Sequence, residues 1–197
     1  MVAKKIYFSN DLINFLPKRE GQIFIDLGCG ARKHPGYIGV DTAKLEGVDI
    51  VCNVEEGLPF EDNSIDGIYS NFFFEHVSNT IFLFQEIYRV CKKDAIVEFS
   101  VPYYQSVTQY KDPTHKAIIM PEMMRYFSDA KWYGSEYGIN TNFKIINVKY
   151  NYLPPFNKFM SRKIFFLWPI TYPVLRFARR FLWNVVHSIT IKIQVIK

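Results

Sequence analysis

Residues 23–41 hold the side chains best suited to chemistry, because two apolar runs are joined there by a glycine turn and each run ends on an aspartate. Gly28 and Gly30 have no Cβ atom, so the backbone between the two runs can pass close to a ligand. Asp41 closes the second run, where a carboxylate can bind the two hydroxyls of a ribose. The pattern predicts a site for a cofactor that contains a nucleoside.

The spacing of this turn differs from the dinucleotide-binding fingerprint. That fingerprint needs a third glycine, a full crossover helix and an acidic residue about 20 residues further on. Asp41 follows Gly28 after only 13 residues, and no long helix fits between them. The turn therefore indicates a nucleotide cofactor other than the one that dehydrogenases use.

Three motifs resemble those of class I S-adenosylmethionine (SAM) dependent methyltransferases of the type 11-like group, and they occur in the family's order. They are Asp-Leu-Gly-Cys-Gly at 26–30, Leu-Pro-Phe-Glu-Asp-Asn-Ser-Ile-Asp at 58–66 and Tyr-Ser-Asn-Phe-Phe-Phe-Glu-His-Val at 69–77. The likeness covers roughly residues 20 to 130, and the short link from Gly28 to Asp41 looks like that of a small bacterial and archaeal branch. The resemblance implies a SAM-dependent enzyme with a Rossmann-like fold.

Strand-like and helical runs alternate around these motifs. The predicted strands are 22–27, 37–40, 48–52, 65–70, 95–101, 143–153 and 189–195, and the predicted helices are 10–16, 80–91 and 121–131. This alternation indicates an α/β fold with a doubly wound, mostly parallel sheet of seven strands. Ligands of such a sheet bind at the carboxyl ends of its strands.

The chain is expected to form one domain over residues 1–197, because 197 residues suit a single core and no serine- or proline-rich linker interrupts them. In the resembled fold the last strand lies antiparallel beside the sixth. Residues 154–188 would then be an α-helical insertion between the last two strands, on the same edge as the cofactor.

Charge is divided sharply along the chain. Residues 137–197 have ten basic and no acidic side chains, so that the formal charge of +5 leaves −5 for the residues before them. Residues 164–189 follow the pattern of a basic amphipathic helix with Trp168, Tyr172 and Trp183, which favours contact with an anionic membrane surface. The alternative is that this apolar stripe packs on the domain or on a second subunit in a homodimer. Its longest uncharged run, 164–175, is shorter than the about 20 residues of a membrane span.

The cysteines and the N-terminus indicate a cytoplasmic protein, with a peripheral location at the inner face of the membrane as the finer expectation. Cys29, Cys52 and Cys91 are far apart and form no CxxC pair, so neither a disulfide framework nor a zinc site is indicated. The first ten residues lack the apolar run of a secretion signal. Acidic residues and the four histidines show no metal-ligand spacing, and no metal site is predicted.

The resemblance implies which residues bind the cofactor. They are Asp26, Gly28, Cys29, Gly30, Asp41, Asn53, Val54 and Asn71. Residues 26–30 would surround the methionine end of SAM, and Asp41 would hold its ribose. Asn53 and the amide of Val54 would lie beside the adenine, and Asn71 would line the methyl side. The alternative is that the glycines form an ordinary tight turn and that Asp41 caps a strand.

A hydroxyl acceptor needs a base when it attacks the methyl group, and Asp112-Pro-Thr-His115 offers the best source. This segment follows the strand predicted at 95–101, in a loop that faces the methyl group in the resembled fold. A histidine side chain is suited to accept a proton near neutral pH, and Asp112 would orient His115 or raise its basicity. His76 is the second candidate base, and Tyr103 and Tyr104 would shape the acceptor pocket. A structural role is the alternative for both histidines.

These patterns predict a SAM-dependent methyltransferase that methylates an oxygen of a small or lipid-linked acceptor, of sugar type as is suspected for members of the branch. An RNA methyltransferase is one alternative, favoured by the basic aromatic tail. Nucleic acid is the weaker partner, because Asn-Phe-Phe-Phe at 71–74 replaces the Asn-Pro-Pro-Tyr pattern for adenine amino groups and no Pro-Cys pair is present. The other alternative is a non-catalytic SAM-fold subunit that binds a partner through residues 154–188.

Overall fold

The computed structural model describes residues 7–8, 21–128, 134–154, 173, 176–177 and 182–197. Its strands are β1 (Tyr7–Phe8), β2 (Phe24–Leu27), β3 (Ile38–Asp41), β4 (Ile50–Val51), β5 (Ile65–Asn71), β6 (Cys91–Pro102), β7 (Phe143–Tyr152) and β8 (Val186–Val195). Two α-helices are described, α1 (Thr80–Val90) and α2 (Val107–Lys111). Short 3-10 turns lie at Val54–Glu56, Phe74–His76, Pro121–Tyr126 and Ser135–Tyr137.

All eight strands belong to one sheet, in the order β1-β4-β3-β2-β5-β6-β8-β7. Strands β2 to β6 are parallel, and β8 lies antiparallel between β6 and β7. The predicted Rossmann-like methyltransferase sheet of seven strands is therefore confirmed. β1 is added to it as an antiparallel edge strand beside β4. The sequence pattern did not indicate β1, because a strand of two residues has no measurable period.

The antiparallel strand β8 follows the period of two that its sequence predicted. Ile189, Ile191, Ile193 and Val195 are completely buried, and the residues between them are half-buried. β8 nevertheless begins at Val186, three residues before the predicted start. Strand pairing extends it, since the register with β6 reaches Ser188 and the register with β7 reaches Val186.

Helix α1 packs its apolar face onto the sheet. It begins after Asn79, whose side chain caps the helix by accepting a hydrogen bond from the amide of Phe82 at 3.0 Å. The ring of Phe84 lies 5.9 Å from that of Phe99 on β6 and 5.6 Å from that of Phe74. The other buried residues of the helix are Leu83, Ile87 and Val90. The packing of this face holds in place the segment that connects β5 to α1.

The link between β2 and β3 is held by a salt bridge and by aromatic rings in place of a helix. No helix is described between β2 and β4, as the short spacing predicted. The ammonium of Lys33 lies 2.6 Å from a carboxylate oxygen of Asp49. The ring of His34 lies 4.4 Å from that of Tyr37 and 4.8 Å from that of Tyr69 on β5, so these side chains cover part of the sheet face that a crossover helix usually covers.

Several predicted elements differ from the structure or lie outside it. Of the helix predicted at 121–131, residues Pro121–Tyr126 form a 3-10 turn that ends at Phe127, and residues 129–131 lie outside the described residues. The helix predicted at 10–16 and most of the predicted insertion at 154–188 lie outside the described residues. The single-domain organisation stays a prediction. In the part of the chain that the structure describes, no helix combines the length and the apolar character needed to cross a bilayer.

Candidate functional site

The glycine turn at the carboxyl end of β2 is hydrogen-bonded to the end of β3. The amides of Gly28 and Cys29 donate to the carbonyl of Val40 at 2.8 and 3.3 Å. Gly28 and Gly30 have φ angles of +72° and +54°, which other residue types rarely adopt. A Cβ atom on Gly28 would lie 2.1 Å from the ring of Phe73, whereas one on Gly30 would meet no atom within 4 Å. The space beside Gly30 is therefore open, whereas Gly28 allows the side chain of Phe73 to approach closely.

Two carboxylates accept hydrogen bonds from the backbone amides of this turn and its flanks. Asp26, only 2% exposed, accepts a hydrogen bond from the amide of His34 at 2.7 Å. Burial raises the pKa of Asp26, and the His34 amide opposes that rise. Asp41 accepts from the amides of Gly30 at 2.9 Å and Ala43 at 3.0 Å, one on each oxygen. Each oxygen keeps a second lone pair, so Asp41 can also accept from the hydroxyls of a ribose.

Cys29 lies in the turn but is not a nucleophile. It is buried, and burial together with the nearby carboxylates of Asp26 and Asp41 raises the pKa of its thiol to about 12. A Cβ atom on Gly39 would lie 2.8 Å from its sulfur, so the thiol packs closely on β3. Only the backbone of Cys29 is therefore suited to a cofactor.

Asn53 and Asn71 reach the same edge of the sheet from β4 and β5. Asn53 caps the turn at 54–56, because its side chain accepts from the amide of Glu55 at 3.1 Å and donates to the carboxylate of Glu56 at 3.0 Å. Val54 buries its side chain in the core. Asn71 is exposed at the end of β5. The sheet thus brings all eight predicted cofactor residues to one edge, while their individual roles stay predictions.

A second group of polar side chains lies where β5 and β6 end. The ring centroids of His76 and His115 are 4.8 Å apart. Glu75 is completely buried beside them, and burial, reinforced by the charge of Asp112, raises the pKa of its carboxyl group to about 7. The two loops are joined because the carbonyl of Glu75 accepts from the amides of Lys116 at 2.7 Å and Ala117 at 3.0 Å.

Asp112 does not orient His115 as predicted. The Nδ1 atom of His115 donates to the carbonyl of Gln109 at 2.8 Å, whereas a carboxylate oxygen of Asp112 is 3.7 Å from Nε2. Asp112 instead accepts from the amide and the hydroxyl of Thr114 at 2.9 and 2.6 Å. These hydrogen bonds lower the pKa of Asp112. A backbone carbonyl therefore sets the tautomer of His115.

The sequence shows no metal-ligand spacing, yet the fold brings two of the four histidines together with a glutamate. One ligand atom each of Glu75, His76 and His115 lies within 4.8 Å of the other two. Sequence spacing did not reveal this group, because His115 follows β6 and the other two follow β5. The adjacency of two parallel strands was the available signal, since their carboxyl ends meet at one edge.

A cavity of about 330 Å³ opens beyond the end of β6. Its lining residues are Tyr103, Tyr104, Met120, Pro121, Glu122, Tyr150 and Arg176. The ring of Tyr103 lies 4.7 Å from that of Tyr104 and 5.9 Å from that of Tyr150. The sequence indicated the first two tyrosines, and the strand pairing of β7 with β8 supplies the third. Their role in binding an acceptor stays a prediction.

Comparisons with known proteins agree with this geometry. Residues 34–99 match the model of the methyltransferase domain family. No protein of curated function is significantly similar to the chain in sequence.

Solved structures share the fold. A SAM-dependent methyltransferase from Archaeoglobus fulgidus is 18% identical with a TM-score of 0.57, over 92% of this chain and 89% of that one. The YcgJ protein of Bacillus subtilis is 18% identical with a TM-score of 0.53, over 94% and 95%. Phosphoethanolamine N-methyltransferase 2 of Haemonchus contortus, in complex with SAM, is 18% identical with a TM-score of 0.54, over 94% and 51%. The chain therefore has the fold of these SAM-dependent methyltransferases, and residues 34–99 of it match the methyltransferase domain model.

Proposed function

We propose that the protein transfers the methyl group of SAM to a hydroxyl of a small or lipid-linked acceptor of sugar type. The observation that carries this proposal is the cavity beyond β6, which joins three tyrosine side chains to the carboxylate of Glu122 and the guanidinium of Arg176. Aromatic rings offer flat apolar surfaces to a sugar ring, and charged groups bind its hydroxyls or an attached phosphate. The cavity lies on the strand edge that holds the glycine turn.

The transfer itself needs little covalent chemistry from the protein. The acceptor oxygen attacks the methyl carbon in line with the breaking carbon–sulfur bond, and the bonding electron pair moves to sulfur, which loses its positive charge. The protein has to align the two reactants and exclude water. The hydroxyl proton must also leave, and His115 and His76, whose rings are 4.8 Å apart where β5 and β6 end, are the side chains that would receive it.

Asp26 and Asp41 support the cofactor half of this proposal. Their carboxylates flank the glycine turn, where they would neutralise the amino group of the methionine part and accept from the ribose hydroxyls. The amide of Gly30 and the open space above it would receive the carboxylate of the methionine part. These assignments are the ones that the resemblance of the three motifs implies.

The proposal is tested by incubating the protein with methyl-labelled SAM and with separate lipid, polysaccharide and RNA fractions of a cell extract. Label is expected in the lipid or the polysaccharide fraction. Tyr104→Ala should lower transfer without changing SAM affinity, and Tyr126→Ala, an exposed tyrosine outside the cavity, is the matched control. Label confined to RNA would replace the proposal by the nucleic-acid alternative. SAM binding without transfer to any fraction would favour a non-catalytic subunit.

We further propose that the enzyme is cytoplasmic and reaches a lipid-linked acceptor at an anionic membrane surface. The ten basic and no acidic side chains of residues 137–197 support this, as does Arg176, which is exposed at the cavity. Vesicles with anionic lipid should sediment the wild-type protein, and the triple variant of Arg176, Arg179 and Arg180 to Ala should stay in the supernatant.

The control for this vesicle assay removes the same charge elsewhere. The exposed basic residues for it are Lys44, Lys93 and Arg125. Their triple Ala variant should sediment like the wild type, because its charges lie outside the basic tail. Equal sedimentation of both triple variants would contradict the membrane proposal and leave packing on the domain or in a homodimer as the use of residues 164–189.

A further inference from the structure

The carboxyl group of Glu75 is the most unusual polar group among the described residues. Its side chain is completely buried, and neither oxygen has a hydrogen-bond partner. An unpaired buried polar group costs free energy, and buried carboxylates in proteins are normally paired or coordinate a metal ion. No lysine or arginine lies within ion-pair distance of Glu75 in the described part of the chain. A ligand that is absent from the structure would remove this cost.

Both neighbouring imidazoles have their lone pair on Nε2. The Nδ1 atom of His115 contacts the carbonyl of Gln109 at 2.8 Å, and a carbonyl can only accept, so Nδ1 holds the proton. The Nδ1 atom of His76 contacts the carbonyl of Thr114 at 3.3 Å and its hydroxyl at 3.0 Å. That hydroxyl donates its own hydrogen to Asp112, so it accepts from His76. Metal-binding histidines are held in this way by a backbone carbonyl or a second polar group.

The three groups also converge. One ligand atom from each of Glu75, His76 and His115 lies within 4.8 Å of the other two. Ligand atoms that share one ion at about 2.1 Å lie about 3.4 Å from one another in a tetrahedral site. The three ligand atoms would therefore have to move closer by at most about 1.4 Å to share one ion. The hydrogen bonds from Lys116 and Ala117 to the carbonyl of Glu75 already fix the two loops at this distance.

We propose that Glu75, His76 and His115 form a binding site for one divalent transition-metal ion, with coordination positions left open for the acceptor hydroxyl. Two imidazoles and one carboxylate suit Zn²⁺, Mn²⁺, Fe²⁺ or Co²⁺ better than Mg²⁺, which prefers oxygen ligands. The negative charge of Asp112, 3.7 Å from Nε2 of His115, adds to the attraction for a cation. Three protein ligands are typical of metal sites that act in catalysis.

This inference rests on the proposed function only for what the ion does. A divalent ion at this edge lowers the pKa of a hydroxyl placed on an open position, so that the hydroxyl proton can leave to water. His115 would then be a ligand of the ion and would no longer be the base. The binding site itself can be tested without SAM, acceptor or turnover, so its failure is distinguishable from a failure of methyl transfer.

The first test measures metal binding by the full chain. The protein is stripped with a chelator and titrated with Zn²⁺ and with Mn²⁺ by calorimetry, and the ion retained after gel filtration is counted. One ion per chain is expected. Glu75→Gln and His115→Ala should each weaken binding by at least about tenfold, since even the loss of an outer-shell partner costs about 10–100-fold. No retained ion, or a site of unchanged affinity in both variants, would overturn the proposal.

Matched controls separate this site from other surface groups. Glu61→Gln and His34→Gln change exposed residues of the same types outside the cluster, and both should bind the ion like the wild type. Far-ultraviolet circular dichroism of all four variants checks that they fold. Should Glu75→Gln fail to fold, His76→Gln takes its place, because His76 is only half-buried.

A second test uses Co²⁺, whose visible absorption reports on its ligands. Co²⁺ added to the stripped protein should give absorption bands of a site with nitrogen ligands, and His115→Ala should lose or shift them. Azide should then shift the bands of the wild-type site by taking an open position. Bands that azide leaves unchanged would contradict the open positions, and bands that survive in His115→Ala would overturn the ligand set.

Discussion

Replacing each glycine of the turn at 28–30 by alanine tests how tightly the turn is packed. Gly28 and Gly30 both have positive φ angles, so each alanine bears the cost of a left-handed backbone, about 1–2 kcal/mol. A loss of chain entropy in the unfolded state offsets part of that cost, about 0.4–1 kcal/mol. Gly30→Ala is therefore expected to lower the free energy of unfolding by about 1 kcal/mol.

Gly28→Ala adds a collision to this common cost. The new Cβ atom would lie 2.1 Å from Cγ, 2.3 Å from Cδ2 and 2.5 Å from Cβ of Phe73. Carbon atoms in contact prefer about 3.5–4.0 Å. Rotation of the ring leaves the Cβ atom of Phe73 in place, so the backbone has to move. Overpacking of this kind costs about 1–3 kcal/mol, and we expect Gly28→Ala to be about 2 kcal/mol less stable than Gly30→Ala.

Urea unfolding followed by circular dichroism measures this difference, with Gly30→Ala as the matched control. In a double-mutant cycle, Phe73→Gly removes both the ring and the Cβ atom. In that background most of the stability difference between Gly28→Ala and Gly30→Ala should disappear. Calorimetry should give the opposite order for SAM, because the methyl group of Gly30→Ala enters the open space above the turn and blocks the cofactor in a folded protein. Equal stability of the two alanine variants would refute this account of the packing.

Three further predictions concern charges and thiols. Asp41→Ala should weaken SAM binding about tenfold or more, which is about 1.4 kcal/mol. Calorimetry checks this against the exposed control Glu46→Ala. Equal SAM affinities of the two variants would contradict the ribose assignment. Burial raises the pKa values of Cys29 and Cys91 to about 12. Both thiols should therefore react slowly with a maleimide at pH 7 in the folded protein and rapidly in urea. Fast labelling of either of these two thiols without urea would contradict their burial. Burial acts to raise the pKa of Asp66, but the hydrogen bonds from Lys92 and from the amide of Ile23, together with the charge of Lys92, outweigh it and the pKa is lowered. Because this depressed pKa contributes stability that is lost as the pH falls below about 4, Asp66→Asn should cost stability at pH 7 and almost none near pH 2 in urea titrations. A cost that is the same at both pH values would refute the ion pair.

Local patterns predicted most of the sheet, because they act over a few residues. The period of two in 189–195 and the helical spacing of 80–91 both correspond to observed elements. Element ends were predicted less well, since pairing with β7 carries β8 back to Val186 and α1 stops one residue early, where β6 begins. The 3-10 turn at 121–126 shows the same limit, because a single proline-started turn has too few residues to display a period.

The sequence by itself determined the glycine turn on which the cofactor prediction depends. A turn that needs positive φ angles selects glycine at 28 and 30, and a carboxylate at the end of the next strand must lie beside it, so residue type and spacing were sufficient there. Only the tertiary structure decided which loops meet. Glu75 and His115 become neighbours because β5 and β6 are adjacent and parallel, and Tyr150 joins Tyr103 because β8 places β7 at the far edge. Such contacts depend on the order of strands in the sheet, which no short stretch of sequence encodes.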